Sequence, residues 1–283
     1  MSGTLTAYNV VLSDKDFQEI SRLVYEHCGI NLHDGKKELV RSRLAKRLRL
    51  GNFKSFAEYM DYAVNDPTGQ EFSSLIDSIS TNLTSFFREI QHFDFLKDRF
   101  LPALVQRKER KRDYRIRCWS AGCSSGEEPY TIAITLLDAF KSQPRWDIKI
   151  LATDVSTRIL ETAKAGVYSE ERVAPVPGFL KTRYLITERN RGEKVYRVCD
   201  ELKSKVVFRY LNLMEDWPIK GPLDFIFCRN VMIYFDKPTQ QRLINRYWNL
   251  LDSEGVLFTG HSESLTGIEH KFRYVQPTIY SKP

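Results

Sequence analysis

The sequence has no uninterrupted apolar run near the ~18–20 residues that a membrane-spanning helix needs. Its best run, Ile132 to Leu137, stops at Asp138. The first residues, Met-Ser-Gly-Thr-Leu-Thr, offer neither a basic start before an apolar stretch nor a glycine at position 2. Neither a secretory leader nor a myristoyl anchor is expected from them. The five cysteines (Cys28, Cys118, Cys123, Cys199, Cys228) form no C-x-x-C pair and are odd in number. Reduced thiols in a reducing compartment follow. The five histidines (His27, His33, His92, His261, His270) show no H-x-x-x-H spacing. A zinc site, and metal chemistry with it, is therefore not expected. These absences lead one to expect a soluble intracellular chain with no direct membrane insertion.

What is present suits a packed core: 283 residues, 42% hydrophobic, enough for one large or two modest domains. The net charge of +7 is unevenly spread. Residues 36–49 (KKELVRSRLAKRLR) hold seven basic residues and one acid, and 107–117 (RKERKRDYRIR) seven basics and two acids. Basic patches on a balanced body point to an anionic macromolecular partner, set against the plainer reading of solvated helix faces.

The first 90 residues read as helices without strands. Ser13 with Asp16 resembles a capping box ahead of Phe17, Ile20, Val24 and Tyr25 at helical spacing, and Gly29 ends that helix. Asp34 starts a second helix, with Val40, Leu44 and Leu48 as its apolar stripe and basic residues on the flanks. A third follows Ser55 and ends near Asp66-Pro67. A fourth runs from about Gly69 to Ile79.

After Arg115 strands and helices alternate. The expected strands are Arg115–Ser120, Asp147–Thr153, Val206–Tyr210, Leu223–Arg229 and Val256–Gly260. Helices are expected over Glu127–Lys141, Ser156–Ala165 and Pro238–Leu251. This rhythm gives a mainly parallel, doubly wound sheet. Two closing runs, Phe272–Val275 and Thr278–Ser281, read as an antiparallel pair at its edge. Residues about 167–204, with Pro175, Pro177, Gly178 and period-two stretches such as 194–198, read as a small antiparallel insertion.

The chemistry concentrates in Trp119-Ser-Ala-Gly-Cys-Ser-Ser-Gly-Glu-Glu-Pro-Tyr130, a small-residue turn between a strand and a helix. Such a turn lets a ligand approach the backbone at the carboxyl edge of a sheet, and Asp154, ending the next strand, is placed for a ribose diol. The glycines are spaced G-x-x-x-G, and Gly126 to Asp154 spans 28 residues, so this is not the dinucleotide fingerprint. No Gly-Lys-Ser/Thr follows, which excludes a P-loop. Glu127 and Glu128 could simply complement a helix dipole. They also suit a ligand carrying an ammonium and a sulfonium, where a pyrophosphate would be repelled, which favours S-adenosylmethionine over NAD. Arg229-Asn230 sits where a strand exits, and Ser80 to Glu89 packs five hydroxyl or amide side chains ahead of Phe86, Phe87 and Arg88. Gly260-His-Ser-Glu-Ser264 lacks the last glycine of a nucleophile elbow, and Cys123 has no evident base.

In combination, T-N-L-T-S-F-F-R-E (81–89), W-S-A-G-C-S-S-G-E-E-P-Y (119–130), A-T-D (152–154), F-C-R-N-V-M-I-Y-F-D (227–236) and G-H-S-E (260–263) resemble the bacterial chemoreceptor glutamate methyltransferases, the CheR family. The resemblance spans nearly the whole chain. It implies an all-α domain (1–80), a linker and first helix over the cofactor site (81–114), and a class I S-adenosylmethionine-dependent, Rossmann-like methyltransferase domain (115–283) carrying a small antiparallel β-subdomain.

The resemblance also implies methyl transfer from S-adenosylmethionine to receptor glutamates, yielding γ-methyl esters and S-adenosylhomocysteine without a metal. Carried over by motif, Asn82, Thr84 and Arg88 reach the cofactor from the linker. Glu128 and Asp154 hold its amino-acid end and ribose, in an order left open. Asn212, Leu213, Arg229 and Asn230 complete the pocket, and Arg88 and Tyr234 lie nearest the methyl. The family reads the methylation helices of receptors with its N-terminal domain, so Arg41, Arg43, Arg47 and Arg49 are the docking candidates. Some members bind a receptor's C-terminal pentapeptide on a glycine-rich hairpin of the β-subdomain. Here that stretch, residues 187–194, has one glycine and several charges, which argues against such a tether. A monomer is expected.

The alternatives are a nucleic-acid methyltransferase, suggested by the basic patches, and a receptor-binding module that holds the cofactor without using it. Against the first, the strand end reads Cys-Arg-Asn-Val and lacks the N/D-P-P-Y type of segment used on base amines. Nucleic acid is therefore not the expected partner.

Overall fold

The structure, a computed structural model, describes residues 10–190 and 192–283. The expectation that no leader or anchor opens the chain concerns residues outside that range. The chain divides into two units. One holds the residues up to Thr81 with Tyr234–Asp236; the other holds Asn82–Ile233 with Lys237–Pro283.

The first unit is helical. Helix α1 (Asp14–Cys28) starts where the Ser13 hydroxyl oxygen accepts the Asp16 amide at 3.0 Å. Asp16 is one methylene shorter than the glutamate of a capping box, and its carboxylate takes the Ser13 hydroxyl at 2.6 Å. Gly29 closes the helix in the left-handed region. A 3₁₀ turn over Asp34–Lys36 precedes α2 (Lys37–Gly51), whose Val40, Leu44 and Leu48 are fully buried. Each such side chain stabilises the unit by about 1.5–3 kcal/mol. Helices α3 (Phe56–Asn65) and α4 (Gln70–Ile79) complete it, with α4 packed against both α2 and α3.

In the second unit the segment after Asn82 is irregular, with Phe87 and Glu89 at φ of 53° and 58°. Helix α5 (Gln91–Phe95) passes through a π-helical turn at Leu96–Phe100 into α6 (Leu101–Arg110). Pro102 in the first turn of α6 has no N–H to give back, and the widened turn before it accommodates that defect.

Then follow β1 (Arg115–Ala121), α7 (Glu127–Ala139), β2 (Asp147–Asp154) and α8 (Thr157–Ala165). The insertion contributes β3 (Val167–Ser169), α9 (Glu170–Val173), α10 (Gly178–Tyr184), β4 (Leu185–Asn190), β5 (Glu193–Val198) and α11 (Asp200–Lys203). The chain closes with β6 (Val206–Tyr210), β7 (Leu223–Cys228), α12 (Lys237–Leu250), β8 (Leu251–Thr259), β9 (Arg273–Gln276) and β10 (Ile279–Ser281).

The main sheet runs β6-β2-β1-β7-β8-β10-β9. Its first five strands are parallel; β10 and β9 turn antiparallel at the edge, as the sequence led one to expect. The order reverses at β1, whose neighbours are β2 and β7, and a doubly wound sheet binds its ligand at the carboxyl side of such a switch point. The insertion is the separate antiparallel sheet β3-β5-β4. Its short helices α9 and α10 were not anticipated, because four and seven residues are too few to show a period. Strand β7 ends at Cys228, one residue before the expected limit, which leaves Arg229 in the loop. Among the described residues no helix is long and apolar enough to cross a membrane.

Candidate active site

In the loop between β1 and α7, two glycines let the backbone pass close to neighbouring side chains. Gly122 and Gly126 have φ of 77° and 97°, a region that favours glycine. A Cβ on Gly122 would lie 2.3 Å from a Val231 methyl; one on Gly126 would meet the Tyr168 hydroxyl at 2.9 Å and Ala163 at 3.0 Å. The sequence suggested that small residues here admit a ligand, yet the neighbours of these two glycines are protein atoms.

Asp154 stands at the end of β2, nearly buried. Its Oδ2 accepts the Ser124 amide at 2.8 Å and its Oδ1 the Ser156 amide at 2.9 Å. The Ser124 hydroxyl in turn donates to the Asn82 carbonyl at 3.0 Å, which ties the linker to the loop.

The neighbouring glutamates take opposite roles. Glu127 is fully buried, pairs with Arg172 of the insertion and accepts the Ser125 hydroxyl at 2.8 Å. Glu128 turns instead to the carboxyl edge. Its Oε1 accepts the Ser120 hydroxyl at 2.7 Å and its Oε2 lies 3.4 Å from Arg229 Nη1. Burial pushes the Glu128 carboxyl up, Arg229 and Ser120 pull it down, and the charges of Glu89 and Glu263 push it up further.

Arg229, its side chain 1% exposed, is the hub. It contacts Glu89 Oε2 at 3.1 Å and donates to the Arg88 carbonyl at 2.5 Å, while its guanidinium lies over the rings of Phe93 and Phe227. One guanidinium thus serves two carboxylates, Glu89 and Glu128. Burial raises the Glu89 carboxyl, but Arg229 and the His261 amide outweigh it and hold Glu89 below its usual value.

Asn230, at φ 59°, donates through Nδ2 to Glu89 Oε1 at 3.5 Å. Its amide is one of four that Glu263 gathers: Asn230 and Gly260 on Oε2 at 2.7 and 2.6 Å, Val231 and Ile233 on Oε1 at 2.8 and 3.1 Å. Sequence reasoning placed Glu263 only at the tail of a motif. Its function as a clamp between the loops after β7 and β8 had no signal in spacing.

Leu211 donates its amide to the Asp154 carbonyl at 3.1 Å, so Asn212 and Leu213 directly follow a residue bonded to Asp154. The Asn212 side chain shapes its own turn, accepting from Met214 N at 3.0 Å and donating to Glu215 at 3.1 Å. The Leu213 carbonyl accepts from Trp217 at 3.2 Å and Arg246 at 2.9 Å. Arg88 donates from Nη1 to the Leu83 carbonyl at 2.8 Å, and Thr84 is partly buried in the same linker. The contacts fall into two groups: Asn82, by its carbonyl, and Asp154 meet through Ser124, while Arg88, by its carbonyl, Glu128 and Asn230 meet through Arg229 and Glu89. Tyr234, on the 3₁₀ turn Met232–Tyr234, groups with the helical unit, and its carbonyl accepts the Asn31 amide at 2.8 Å.

The four docking candidates prove unequal. Arg47 forms a forked pair with Glu71 at 2.5–3.0 Å, and Arg43 bonds the Ile79 carbonyl and, at 3.0 Å, the Thr81 hydroxyl. Both hold α2 to α4 and the chain beyond it. Arg41 pairs at 2.8 Å with Glu38 on its own helix, and Arg49 is exposed.

Cys123, in the loop, is buried, and burial pushes its thiol well above the ordinary range. A buried protonated thiol is inert.

A helical domain followed by a doubly wound sheet, with carboxylates gathered around Arg229 near its switch point, is the arrangement of a class I S-adenosylmethionine-binding methyltransferase with an all-α N-terminal domain. Residues 15–80 match the family model described as CheR methyltransferase, all-alpha domain, and residues 82–281 match CheR methyltransferase, SAM binding domain. The chain belongs to the CheR methyltransferase family. It is 45% identical over 268 residues to chemotaxis protein methyltransferase 2 of Pseudomonas aeruginosa, covering 94% of this chain and 92% of the relative. It is 40% identical over 276 residues to the chemotaxis protein methyltransferase of Borreliella burgdorferi, covering 97% and 96%. The Escherichia coli protein of the same name is 40% identical over 274 residues, covering 96% and 92%.

Proposed function

We propose that this chain methylates glutamate side chains in the cytoplasmic methylation helices of chemoreceptors, forming γ-glutamyl methyl esters in sensory adaptation. The single observation that carries the reading is the excess of carboxylate over guanidinium, two against one around Arg229. The names of the relatives support the setting in chemotaxis.

The residues fit S-adenosylmethionine by their chemistry. Asp154, ending β2, is assigned to the ribose hydroxyls, and Glu128, short of a full counter-ion, to the ammonium of the amino-acid end. Asn82, Thr84, Asn212, Leu213 and Asn230 are assigned to the walls, with Arg229 holding Glu128 in place. When bound, the cofactor supplies an electrophilic methyl on a positive sulfur. The chain's task is then to position a carboxylate. A free glutamate side chain titrates at about 4.3 and is already ionised at pH 7, so no base is required. Correct alignment alone can be worth roughly 7–11 kcal/mol of barrier. Arg88 is assigned to orient the incoming carboxylate by a charge-assisted bond, and Tyr234 to steady the reacting pair. The exposed basic residues of α2, Arg49 foremost, are assigned to the acidic receptor helix, by contacts that weaken with salt.

The test mixes the purified chain with methyl-labelled S-adenosylmethionine and receptor-containing membranes, then treats the protein fraction with alkali. Volatile labelled methanol is expected, because carboxyl methyl esters saponify. Label that stays on protein through alkali, or appears on nucleic acid, would overturn the reading.

A further inference from the structure

Glu89 and His92, one helical turn apart, meet His261 from far along the chain, with one ligand atom of each within 4.8 Å of the others. His92 is 1% exposed, and its Nδ1 is a buried nitrogen with no hydrogen-bond partner. The tautomer follows from the network. The Thr278 hydroxyl has one proton, which it gives to the Pro277 carbonyl at 2.6 Å. With the hydroxyl proton so placed, it accepts from His92 Nε2, which lies 2.7 Å away. Nδ1 is left as a bare lone pair, 3.5 Å from Glu89 Oε2. A lone pair facing a carboxylate with no proton between them is repulsive in a buried site. The Nε2–H···Thr278 bond is also the kind of outer contact that fixes the ring of a metal-ligating histidine.

His261 completes the set from the loop after β8. Its Nε2 lies 4.0 Å from the same Glu89 oxygen, and the side chain is 55% exposed. Donors on a tetrahedral zinc ion stand about 3.3–3.5 Å apart, as its ~2.0–2.2 Å bond lengths require. The Glu89–His92 separation already matches, and the exposed His261 ring can close the rest. Charge agrees as well. Glu89 and Glu128 share Arg229, two carboxylates to one guanidinium, which leaves one negative charge unmatched. Arg229 occupies one lone pair of Glu89 Oε2; a carboxylate oxygen has another.

We propose that Glu89, His92 and His261 form a binding site for a divalent first-row transition-metal ion, with water in the remaining position. Two imidazoles and one carboxylate select zinc, cobalt or nickel over magnesium and calcium. The expectation of no metal site rested on spacing along the chain, and this set spans 172 residues from Glu89 to His261.

The test titrates the full-length, cofactor-free chain with Co²⁺ and follows its visible d–d absorption, then displaces it with Zn²⁺. One ion per chain is expected, displaced by Zn²⁺ and unaffected by Mg²⁺. His261→Ala, a change at an exposed side chain, should weaken binding at least about tenfold, since it removes one of three ligands. Thr278→Val should weaken it about 10- to 100-fold by releasing the His92 ring. His33→Ala should change nothing. Equal affinity in His261→Ala, a thiolate-to-cobalt charge-transfer band placing the ion on cysteine, or competition by Mg²⁺ would each overturn the proposal.

Discussion

Glu128→Gln and Glu127→Gln provide the sharpest test of the site, because the two residues are adjacent in sequence and opposite in role. Glu128 is partly buried beside an Arg229 that it shares with Glu89, so its charge is incompletely matched within the chain. A cationic ligand supplies the missing partner. A hydrogen bond to a charged group is worth about 1.5–3 kcal/mol, or roughly 10- to 150-fold in Kd at ~1.4 kcal/mol per tenfold. Calorimetric titration with S-adenosylhomocysteine, which retains the ammonium, should show a loss of that size in Glu128→Gln. The pH dependence has a definite sign. Burial raises the folded-state Glu128 carboxyl above the ordinary 4.5, so the ligand-free fold holds this proton more tightly than the unfolded chain does. That contribution to stability is fully present below the unfolded value and is lost as pH rises through the folded one. Affinity for the ammonium should move the other way, improving as Glu128 ionises. Both trends should flatten in Glu128→Gln. Glu127→Gln should leave affinity unchanged and cost about 1–3 kcal/mol of stability, because it strips Arg172 of its buried partner. Equal affinity loss in both variants, or a loss confined to Glu127→Gln, would refute the assignment.

Arg47→Ala leaves the largely buried Glu71 without its forked partner. Discounted for the partial exposure of Arg47, the cost should be about 2 kcal/mol, read by urea unfolding, and any accompanying rise in receptor KM would reflect that damage. Arg49→Ala should keep full stability while raising receptor KM, with the difference vanishing at high salt; a variant as stable as wild type with unchanged KM would remove Arg49 from docking. Gly122→Ala forces a methyl against Val231 at left-handed φ and should lower Tm, with partial recovery when Val231→Ala is added. Arg88→Ala should cut kcat by more than about tenfold, the scale of one charge-assisted bond; full turnover would end its proposed role.

Much of this architecture is legible in the sequence, since the helix stripe of Val40, Leu44 and Leu48 and the strand–turn–helix rhythm after Arg115 are local patterns. The cofactor loop is legible as a position. The division of labour within it is not, because Glu127 and Glu128 differ only in which way one helical step turns them. Arg43 and Arg47 read as surface charges until Ile79, Thr81 and Glu71 come beside them from α4 and the chain beyond it. Glu89, His92 and His261 are similarly silent: i, i+3 spacing joins the first two, and only the fold brings the third. The π-helical turn before Pro102 also leaves no periodic signature, since one widened turn does not shift a hydrophobic stripe enough to be noticed.

Glu263 gathers amides from Asn230, Val231 and Ile233 on one side and Gly260 on the other. A side chain here does what a strand-to-strand ladder does elsewhere, but with a single group serving four donors. The loops after β7 and β8 are consequently not separable parts. Removing that one carboxylate, as in Glu263→Ala, would leave four amides without this acceptor and should unsettle both loops at once.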